Sequence, residues 1–447
     1  MKNINFYKRV ALIAFPVILQ QIINMSVNLC DGIMVGQLKE TAISGVSAGN
    51  QFYLLFNILC MGLGGGTAVL VNQLWGKQEI VEIKKAITIM IRLCIGIASV
   101  FMLLSLFGTQ AIVKIFSNNP EVCGEAEKYL RTMSFAYIIH GLGLTLSIVY
   151  RSVGVVWLSL ISSAVSFGLN IFFNWVFIFG KLGFEPMGVK GAALGTVIAR
   201  AIEFIVIAGY VLFRDKRIGY RISYLKMKCS SISAEYKRYA LPVVISDVML
   251  QLGNNLIAII MGHMKNSEIM MAANNVTTIT VQISTFFILG LSNAASIIVG
   301  NTIGEGKKQE AFGYGKKFLY ISIVVGIIAA GLIELLNPII LKAYVLERET
   351  IECTKQLVNA ISCIVVFQSV SSVLTKGVLR GGGDTRFLMV ADVLFLWITA
   401  APLGFLCGIV LELSSFWVYF VMKIDLVIKA VWCTYRLYKG TWARDCV

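Results

Sequence analysis

The sequence is poor in charged residues, in histidine and in the short motifs that mark metal or nucleotide sites. Charged residues make up 14% of the 447 residues, which is too few for an ordinary soluble globular chain. Only two histidines are present, and the ten cysteines form no CxxC pair, so neither a zinc site nor a dithiol motif is indicated. The glycine-rich segment 300–308 lacks the spacing and the Ser/Thr of a P-loop, and the segment 379–387 is expected to form a tight turn. These absences argue against a soluble protein and against a nucleotide site.

Long apolar segments dominate what is present. Hydrophobic residues make up 57% of the chain, and runs of about 20 of them are long enough to cross a hydrocarbon core of about 30 Å. The pattern predicts an all-α polytopic membrane protein with twelve spans. The predicted spans are 10–35, 42–74, 86–116, 129–150, 157–180, 189–213, 238–262, 270–300, 317–343, 355–378, 387–410 and 413–435.

The two halves of the sequence repeat one another. Matched pairs are Pro16 and Pro242, Gly76 and Gly304, and Arg151 and Arg380, at offsets of 226, 228 and 229. Such a repeat indicates duplication of a six-helix bundle, the usual architecture of secondary transporters. Because six is even, both halves enter the bilayer in the same orientation, and we expect a pseudo-two-fold axis along the membrane normal. The predicted domains are an N-lobe (1–213), a cytoplasmic basic linker (214–235) and a C-lobe (236–447).

Basic residues are distributed unevenly across the predicted loops. With the N-terminus inside, the cytoplasmic segments hold 25 Lys and Arg residues and the external loops hold 10. This asymmetry satisfies the positive-inside rule and predicts a multi-pass protein of the plasma membrane with both termini in the cytoplasm. It also accounts for the net charge of +15 without a nucleic-acid partner. We expect the basic linker to lie on the anionic inner leaflet.

Polar side chains inside the first predicted lobe are candidate site residues, because such groups are costly in lipid and need a partner or a function. Asp31 lies within span one; the alternative is an external carboxylate already near water. Asn170 and Asn174 are four residues apart in span five and so share one helix face. Their alternative role is structural hydrogen bonding between helices. Thr196 lies in span six.

Further ionisable groups leave two interpretations open. Arg200 and Glu203 are spaced i, i+3 in span six and are expected to neutralise each other, although Arg200 could instead pair with Asp31 and fill the place of a cation. His140 could relay protons or could be a hydrogen-bonded core residue. Asp247 and Asp392 are the intramembrane acids of the second half, and local hydrogen bonding is their alternative role.

Several motifs, taken in order, resemble those of the multidrug and toxic compound extrusion (MATE) family over about residues 8 to 435. They are Pro16 followed by DGIMVG, the run GLGGGTAVLVNQLWG, Asn170 and Asn174 ahead of PMGVKGAALGTVIA, GLSNAASIIVGNTIGEGKKQEA, and LRGGGDTRF. The resemblance implies twelve helices in two lobes around a central cavity. It also implies export of organic, often cationic, compounds in exchange for sodium ions or protons. We expect no cofactor beyond that coupling ion, no metal other than sodium, and a monomer.

The resemblance also implies a cation or proton site in the N-lobe, formed by Asp31, Asn170, Asn174 and Thr196. The sequence departs from one branch of the family at Asn174, where that branch carries Asp, so the site would hold less negative charge. Another branch uses paired carboxylates in spans seven and ten of the C-lobe. Here Leu250 and Ser369 lie near those places, and Asp247 is only a neighbour.

Rival functions make different demands on the sequence. A lipid-linked precursor flippase of the same superfamily fold would need several cations in its cavity, and apart from Arg92, near the membrane interface, Arg200 is the cation expected in mid-span. A membrane-embedded enzyme would need a nucleophile with a histidine or a metal set, and the two histidines, His140 and His263, lie far apart in sequence. A receptor or scaffold would not need a duplicated bundle with buried acids. Efflux transport is therefore the prediction, with the flippase as the alternative.

Overall fold

A computed structural model describes residues 5–344 and 346–446, and every regular element in these ranges is helical. The prediction that both termini lie in the cytoplasm partly concerns residues 1–4 and 447, which lie outside the described ranges. The helices of the first half are α1 (Phe6–Gly36), α2 (Glu40–Lys77), α3 (Ile80–Phe107), α4 (Thr109–Phe116), α5 (Pro120–Met133), α6 (Ala136–Ser152), α7 (Val156–Phe179) and α8 (Gly188–Gly209). Those of the second half are α9 (Ser230–Gly262), α10 (Ser267–Gly304), α11 (Lys308–Lys342), α12 (Arg348–Ser372), α13 (Thr385–Leu394), α14 (Ala401–Phe405), α15 (Ser415–Met422) and α16 (Ile424–Lys439).

Among the described residues, up to eleven of the twelve predicted spans have a helix, or a bent pair of helices, that is long and apolar enough to cross a membrane. Ten helices are long and apolar enough to cross a membrane, and α5 with α6 forms an eleventh candidate bent by 59°. The start of α5 is well specified, because Asn119 Oδ1 accepts a hydrogen bond from Glu121 N (3.0 Å) and Pro120 occupies the first helical turn. The predicted span 413–435 is divided into α15 and α16 by a break at Lys423.

Non-α segments interrupt the second half. π-helical turns continue α12 over Val373–Leu379 and flank the short α14 at Phe395–Ala400 and Leu406–Val410. Each π-turn inserts an extra residue and rotates the side chains that follow, which shifts the face that a helix presents to its neighbours. The two π-turns that flank α14 lie within the predicted span 387–410. This span is therefore irregular in the structure, although the sequence pattern predicts one continuous helix.

The chain forms two compact units. The C-terminal unit comprises the described residues of Met1–Ile18, Asn72–Gln78 and Arg238–Val447, and the N-terminal unit comprises Leu19–Val71 and Glu79–Lys237. The division into an N-lobe, a linker and a C-lobe stays a prediction. The two units differ from it mainly because the first half of α1 and the end of α2 are grouped with the second half of the chain. The division in α1 falls just after Pro16, which removes one helical hydrogen bond at that point.

Within the C-terminal unit, the end of α2 and the end of α10 approach each other backbone to backbone. A Cβ atom at Gly76 would collide with the carbonyl oxygen of Asn301, and one at Gly304 would collide with that of Gln73. These glycines are a matched pair of the internal repeat. Only glycine permits such a close helix crossing, which explains why both halves carry it.

The run LRGGGDTRF forms the tight turn expected from its composition. Gly383 has a φ of +79°, in the left-handed region that favours glycine. Asp384 follows it and pairs with Arg436 (2.7 Å) and Arg444 (3.0 Å). Trp442 is fully buried and donates from Nε1 to Leu437 O at 3.0 Å. Contacts with Arg436 and Arg444 thus hold this turn in place, and the glycine-rich run is explained by the turn that it forms.

The linker between the halves packs on the N-terminal unit. Arg92 Nη2 donates to Leu225 O at 2.6 Å, and Asp215 accepts a hydrogen bond from Tyr150 Oη at 3.0 Å. Phe213 and Ile222, beside the basic residues, are 86% and 64% exposed. An exposed surface with apolar and basic side chains is compatible with the expected position on the inner leaflet, which stays a prediction.

Candidate functional site

The four residues predicted for the N-lobe site form one hydrogen-bonded cluster, here called the Asp31 cluster. Asn174 Nδ2 donates to Asp31 Oδ1 at 2.6 Å and also lies 3.4 Å from Asn170 Oδ1. Asn170 Nδ2 in turn donates to Thr196 Oγ1 at 3.4 Å. The cluster therefore joins α1, α7 and α8 through side chains that are far apart in sequence.

The close approach of α7 and α8 positions the cluster. Asn170 and Asn174, one turn apart on α7, are 2% and 1% exposed. On α8, a Cβ at Gly195 would collide with Asn174 Oδ1, and one at Gly191 would lie 2.5 Å from Phe177 O. Because these positions carry no side chain, the two helix backbones come near enough for Thr196 to reach Asn170.

The cluster has oxygen atoms available for a small cation. Asn174 Oδ1 is buried and accepts no hydrogen bond, and an unpaired buried acceptor is unfavourable unless something binds it. Thr196 Oγ1 donates to Ala192 O at 3.0 Å and accepts from Asn170 Nδ2 at 3.4 Å, which leaves it one further lone pair. A carboxylate, amide oxygens and a hydroxyl are hard donors that suit Na⁺, and the carboxylate alone can take up a proton.

Arg200 and Glu203 form the expected i, i+3 ion pair, with Arg200 Nη1 at 2.7 Å from Glu203 Oε2. Among the described residues, no ion pair joins Arg200 to Asp31. Glu203 also accepts a hydrogen bond from Ser163 Oγ (3.3 Å), which accepts one from Gln20 Nε2 (3.1 Å). The pair is therefore held by a series of polar side chains within the N-terminal unit.

His140 is separate from the Asp31 cluster in its hydrogen bonding. Its ring is 6% exposed, Nε2 lies 3.4 Å from Asn57 Oδ1, and the ring of Tyr53 lies 5.4 Å away. No hydrogen bond between described residues joins His140 to Asp31. Its part in a proton relay stays a prediction, and its surroundings are those of a hydrogen-bonded core histidine.

The candidate acids of the second half are paired with resident cations. Asp247 lies 3.0 Å from Arg380 Nη2. Asp392 accepts a hydrogen bond from Ser246 Oγ at 2.5 Å and lies 3.5 Å from Lys429 Nζ. Ser369, near the place of a family carboxylate, donates instead to a backbone carbonyl. These acids already have positive partners.

The expectation that Arg200 is the mid-span cation apart from Arg92 is wrong, because Lys429 is also buried. Lys429 lies between Asp392 and Asp425, at 3.5 and 2.8 Å, with 4% of its side chain exposed. The sequence contains a signal for this group: Asp425 and Lys429 are spaced i, i+4 inside an apolar segment, which places them on one helix face. Gln20 and Ser163 were also missed, because uncharged polar residues are common within membrane helices.

A polytopic helical bundle with an internal repeat and a buried polar cluster defines a membrane transporter. The chain belongs to the multidrug and toxic compound extrusion family: the MatE family model matches residues 16–176 and 242–406, once in each half. The predicted family and fold class are thereby confirmed. The protein is a multi-pass membrane transporter and not an enzyme.

Curated relatives cover nearly the whole chain. A probable multidrug resistance protein NorM of Thermotoga maritima is 22% identical over 98% of this chain and 94% of its own length. The NorM protein of Agrobacterium fabrum is 25% identical over 95% and 94%. An uncharacterized transporter of Bacillus subtilis, YisQ, is 24% identical over 92% and 90%.

Solved structures support the same fold. An outward-facing MATE transporter of the MOP superfamily superposes with a TM-score of 0.87 at 16% identity, over 98% of this chain and 97% of that chain. The eukaryotic MATE transporter AtDTX14 superposes with a TM-score of 0.84 at 18% identity, over 98% and 96%. At such identities the likeness concerns the fold alone.

Proposed function

We propose that this protein is a secondary active efflux transporter that exports organic, often cationic, compounds by antiport with sodium ions or protons. The observation that carries the proposal is the Asp31 cluster, in which one carboxylate, two amides and a hydroxyl meet inside the N-terminal unit. The names of the NorM relatives support the substrate class. We further propose that the transporter acts in the plasma membrane as a monomer, with both termini in the cytoplasm.

Ion binding at Asp31 would act on the cluster through Asn174. In the described state the amide nitrogen of Asn174 donates to Asp31, and its oxygen is unpaired. A cation at the carboxylate would repel the amide hydrogens and attract the amide oxygen, so the side chain would reorient. Because the cluster joins α1, α7 and α8, this reorientation changes how the three helices pack and favours one access state over the other.

Binding linkage then couples the ion to the cargo. If the ion lowers the affinity for the organic compound by some factor, the compound lowers the affinity for the ion by the same factor. One elementary charge moving through 100 mV supplies about 2.3 kcal/mol. A one-for-one exchange of monovalent cations moves no net charge, so only the concentration gradient of the ion, about 1.4 kcal/mol per tenfold difference, would drive export.

The flippase alternative finds little support in the site. Among the described residues, the buried Arg151 contacts Gln20 Oε1 at 3.5 Å and pairs with no carboxylate, whereas Arg200, Arg380 and Lys429 each pair with a carboxylate. A cation already neutralised in this way is poorly suited to hold the phosphates of a lipid-linked precursor.

The test is efflux of a fluorescent organic cation from proteoliposomes, with sodium and proton gradients imposed separately. We expect one of the gradients to drive efflux in the native protein and neither to do so in Asp31→Asn. Glu412→Gln, an exposed acid, is the control and should behave as the native protein. Gradient-driven efflux that persists in Asp31→Asn would remove this carboxylate from the mechanism, and no efflux under either gradient would favour the flippase.

A further inference from the structure

Arg200 lies on α8, close to the Asp31 cluster in sequence, and forms an ion pair with Glu203. Its guanidinium is 2.7 Å from Glu203 and is near enough to Asp31 for the two charges to interact electrostatically. Thr196, a member of the Asp31 cluster, is one helical turn before Arg200 on the same face of α8. The other titratable side chains that interact electrostatically with this guanidinium are Tyr53, Tyr129 and His140.

The partner of Arg200 decides whether Asp31 can exchange a cation. A guanidinium beside a carboxylate supplies the positive charge that a sodium ion or a proton would otherwise supply, and the two compete for the same oxygen atoms. A buried guanidinium also needs a partner, because an unpaired charge in a low-dielectric interior is strongly unfavourable. If Glu203 were neutral, Asp31 would be the nearby carboxylate left for Arg200.

Glu203 is itself held in place. Oε2 contacts Arg200, while Oε1 accepts a hydrogen bond from Ser163 Oγ at 3.3 Å. Ser163 is fixed in turn by Gln20 Nε2 at 3.1 Å. Both carboxylate oxygens of Glu203 therefore have a partner, and Ser163 helps to fix the orientation of the side chain.

We propose that Glu203 is a positioning residue that keeps Arg200 away from Asp31 and so leaves the Asp31 carboxylate open to the exchangeable cation. This inference rests on the proposed function of the Asp31 cluster. It assigns Glu203 a role in ion coupling, although Glu203 does not bind the ion. Ser163 and Gln20 support that role by orienting Glu203.

The test measures ion affinity, which a merely structural ion pair would not control. The thermal unfolding temperature of the purified full-length protein is followed against sodium concentration at fixed pH, with choline as the replacement ion, and against pH in choline alone. An ion that binds only the folded protein at free concentration c stabilises it by RT ln(1 + c/Kd), so this temperature rises with ion concentration, beginning near Kd. The variants are Asp31→Asn, Glu203→Gln, Arg200→Gln and the double variant Arg200→Gln with Glu203→Gln.

We expect Glu203→Gln to weaken the affinity for the coupling ion by about tenfold or more, because a neighbouring opposite charge shifts the ionisation of a carboxylate by about one to three powers of ten. The double variant removes the competing guanidinium and should return the affinity to near the native value. Arg200→Gln alone should bind the ion at least as tightly as the native protein. As a matched control, Glu352→Gln disrupts an exposed i, i+3 pair with Lys355 and should change nothing.

The remaining outcomes distinguish a failure of the role proposed for Glu203 from a failure of the proposed function of the Asp31 cluster. If the ion response depends on Asp31 but Glu203→Gln keeps native affinity, the role of Glu203 is wrong and the proposed function stands. If the double variant is no better than Glu203→Gln, competition by Arg200 is wrong. If Asp31→Asn responds like the native protein, the proposed function itself fails. Should Glu203→Gln not fold, Ser163→Ala loosens Glu203 and is expected to weaken ion affinity by a smaller factor; unchanged affinity there would contradict the proposal.

Discussion

Each half of the chain contains a series of polar side-chain contacts, and the two series lie at matching positions of the internal repeat. They differ in charge, because an acid in the first half corresponds to a base in the second. In the N-terminal unit, Gln20 donates to Ser163, Ser163 donates to Glu203, and Glu203 pairs with Arg200 on the same helix. Gln20 also accepts a hydrogen bond from the buried Arg151 at 3.5 Å, so the series contains one acid and two bases. It leaves Asp31, which is bonded to an amide, outside the ion pair.

In the C-terminal unit, Ser246 donates to Asp392, Asp392 lies next to Lys429, and Lys429 pairs with Asp425 on the same helix. The corresponding pairs are Gln20 and Ser246, Ser163 and Asp392, and Glu203 and Lys429, at offsets of 226, 229 and 226. Lys429 thus occupies the position that corresponds to Glu203 in the first half. The same architecture therefore holds an acid with a neutral partner in one half and acids with a resident cation in the other. We propose that only the first is open to an exchangeable cation.

The largest expected effect comes from removing the resident cation of the C-terminal unit. Lys429→Met leaves Asp392 and Asp425 buried without a positive partner, and should lower the free energy of unfolding by about 3–5 kcal/mol. Lys265→Met, which disrupts an exposed pair with Glu412, should cost about 0–1 kcal/mol. Denaturant unfolding of the purified variants measures both. Equal, small effects would mean that these acids do not depend on Lys429, and the contrast between the halves would be lost.

Overpacking at the α7–α8 contact should disrupt the Asp31 cluster. Gly195→Ala places a methyl group against Asn174 Oδ1 and should destabilise the protein by about 1–3 kcal/mol, together with a loss of ion-driven efflux. Gly168→Ala, in α7 with open space around it, is the matched control and should be neutral or slightly stabilising. Similar behaviour of the two variants would show that the close approach at Gly195 does not matter.

A second carboxylate in the cluster should shift its pH dependence. In Asn174→Asp, two acids share one site and each disfavours ionisation of the other, so the proton is held more tightly. If protons couple transport, the pH at which half of the efflux is lost should rise by about one unit; if sodium does, its affinity should increase. Asn57→Asp, beside His140, tests whether an acid elsewhere in the unit has the same effect. A lower pH midpoint or weaker sodium binding in Asn174→Asp would contradict this role.

The smallest expected effect is the loss of one hydroxyl oxygen. Thr196→Val keeps the shape of the side chain and removes one donor to the cation, so ion affinity should fall by about fivefold, equivalent to about 1 kcal/mol. Thr145→Val is a close control, because both hydroxyls donate to the carbonyl four residues earlier. Equal ion affinity in the two variants would exclude Thr196 as a ligand.

Helix positions could be predicted from the sequence because apolar length is a local signal, and polar residues inside the apolar segments stood out as separate candidates. The grouping of Asp31, Asn170, Asn174 and Thr196 into one site was implied by the family resemblance. Asn170 and Asn174 are visible as one helix face. The break at Lys423 and the π-turn after Asp392 could not be predicted, since they depend on packing against other helices. The partner of Arg200 was one of two alternatives, and only the three-dimensional positions of Glu203 and Asp31 distinguish them.

Lys429 shows a different limitation. Its helix was predicted, but a lysine side chain in a membrane helix can extend to the interface or turn into the protein, and the sequence does not tell which. Comparing the two halves position by position would have matched Ser163 with Asp392 and Glu203 with Lys429. The repeat therefore contained more information about the buried network than either half alone.

The most direct measurement compares Asp31→Asn with Asp392→Asn in proteoliposomes that are loaded with a fluorescent organic cation and given the gradient that drives the native protein. The account predicts that efflux falls to the protein-free level in Asp31→Asn, while Asp392→Asn keeps the ion dependence of the native protein after correction for the amount of folded transporter. Ion-dependent efflux in Asp31→Asn, with its loss in Asp392→Asn, would place the coupling site in the other half and contradict the account.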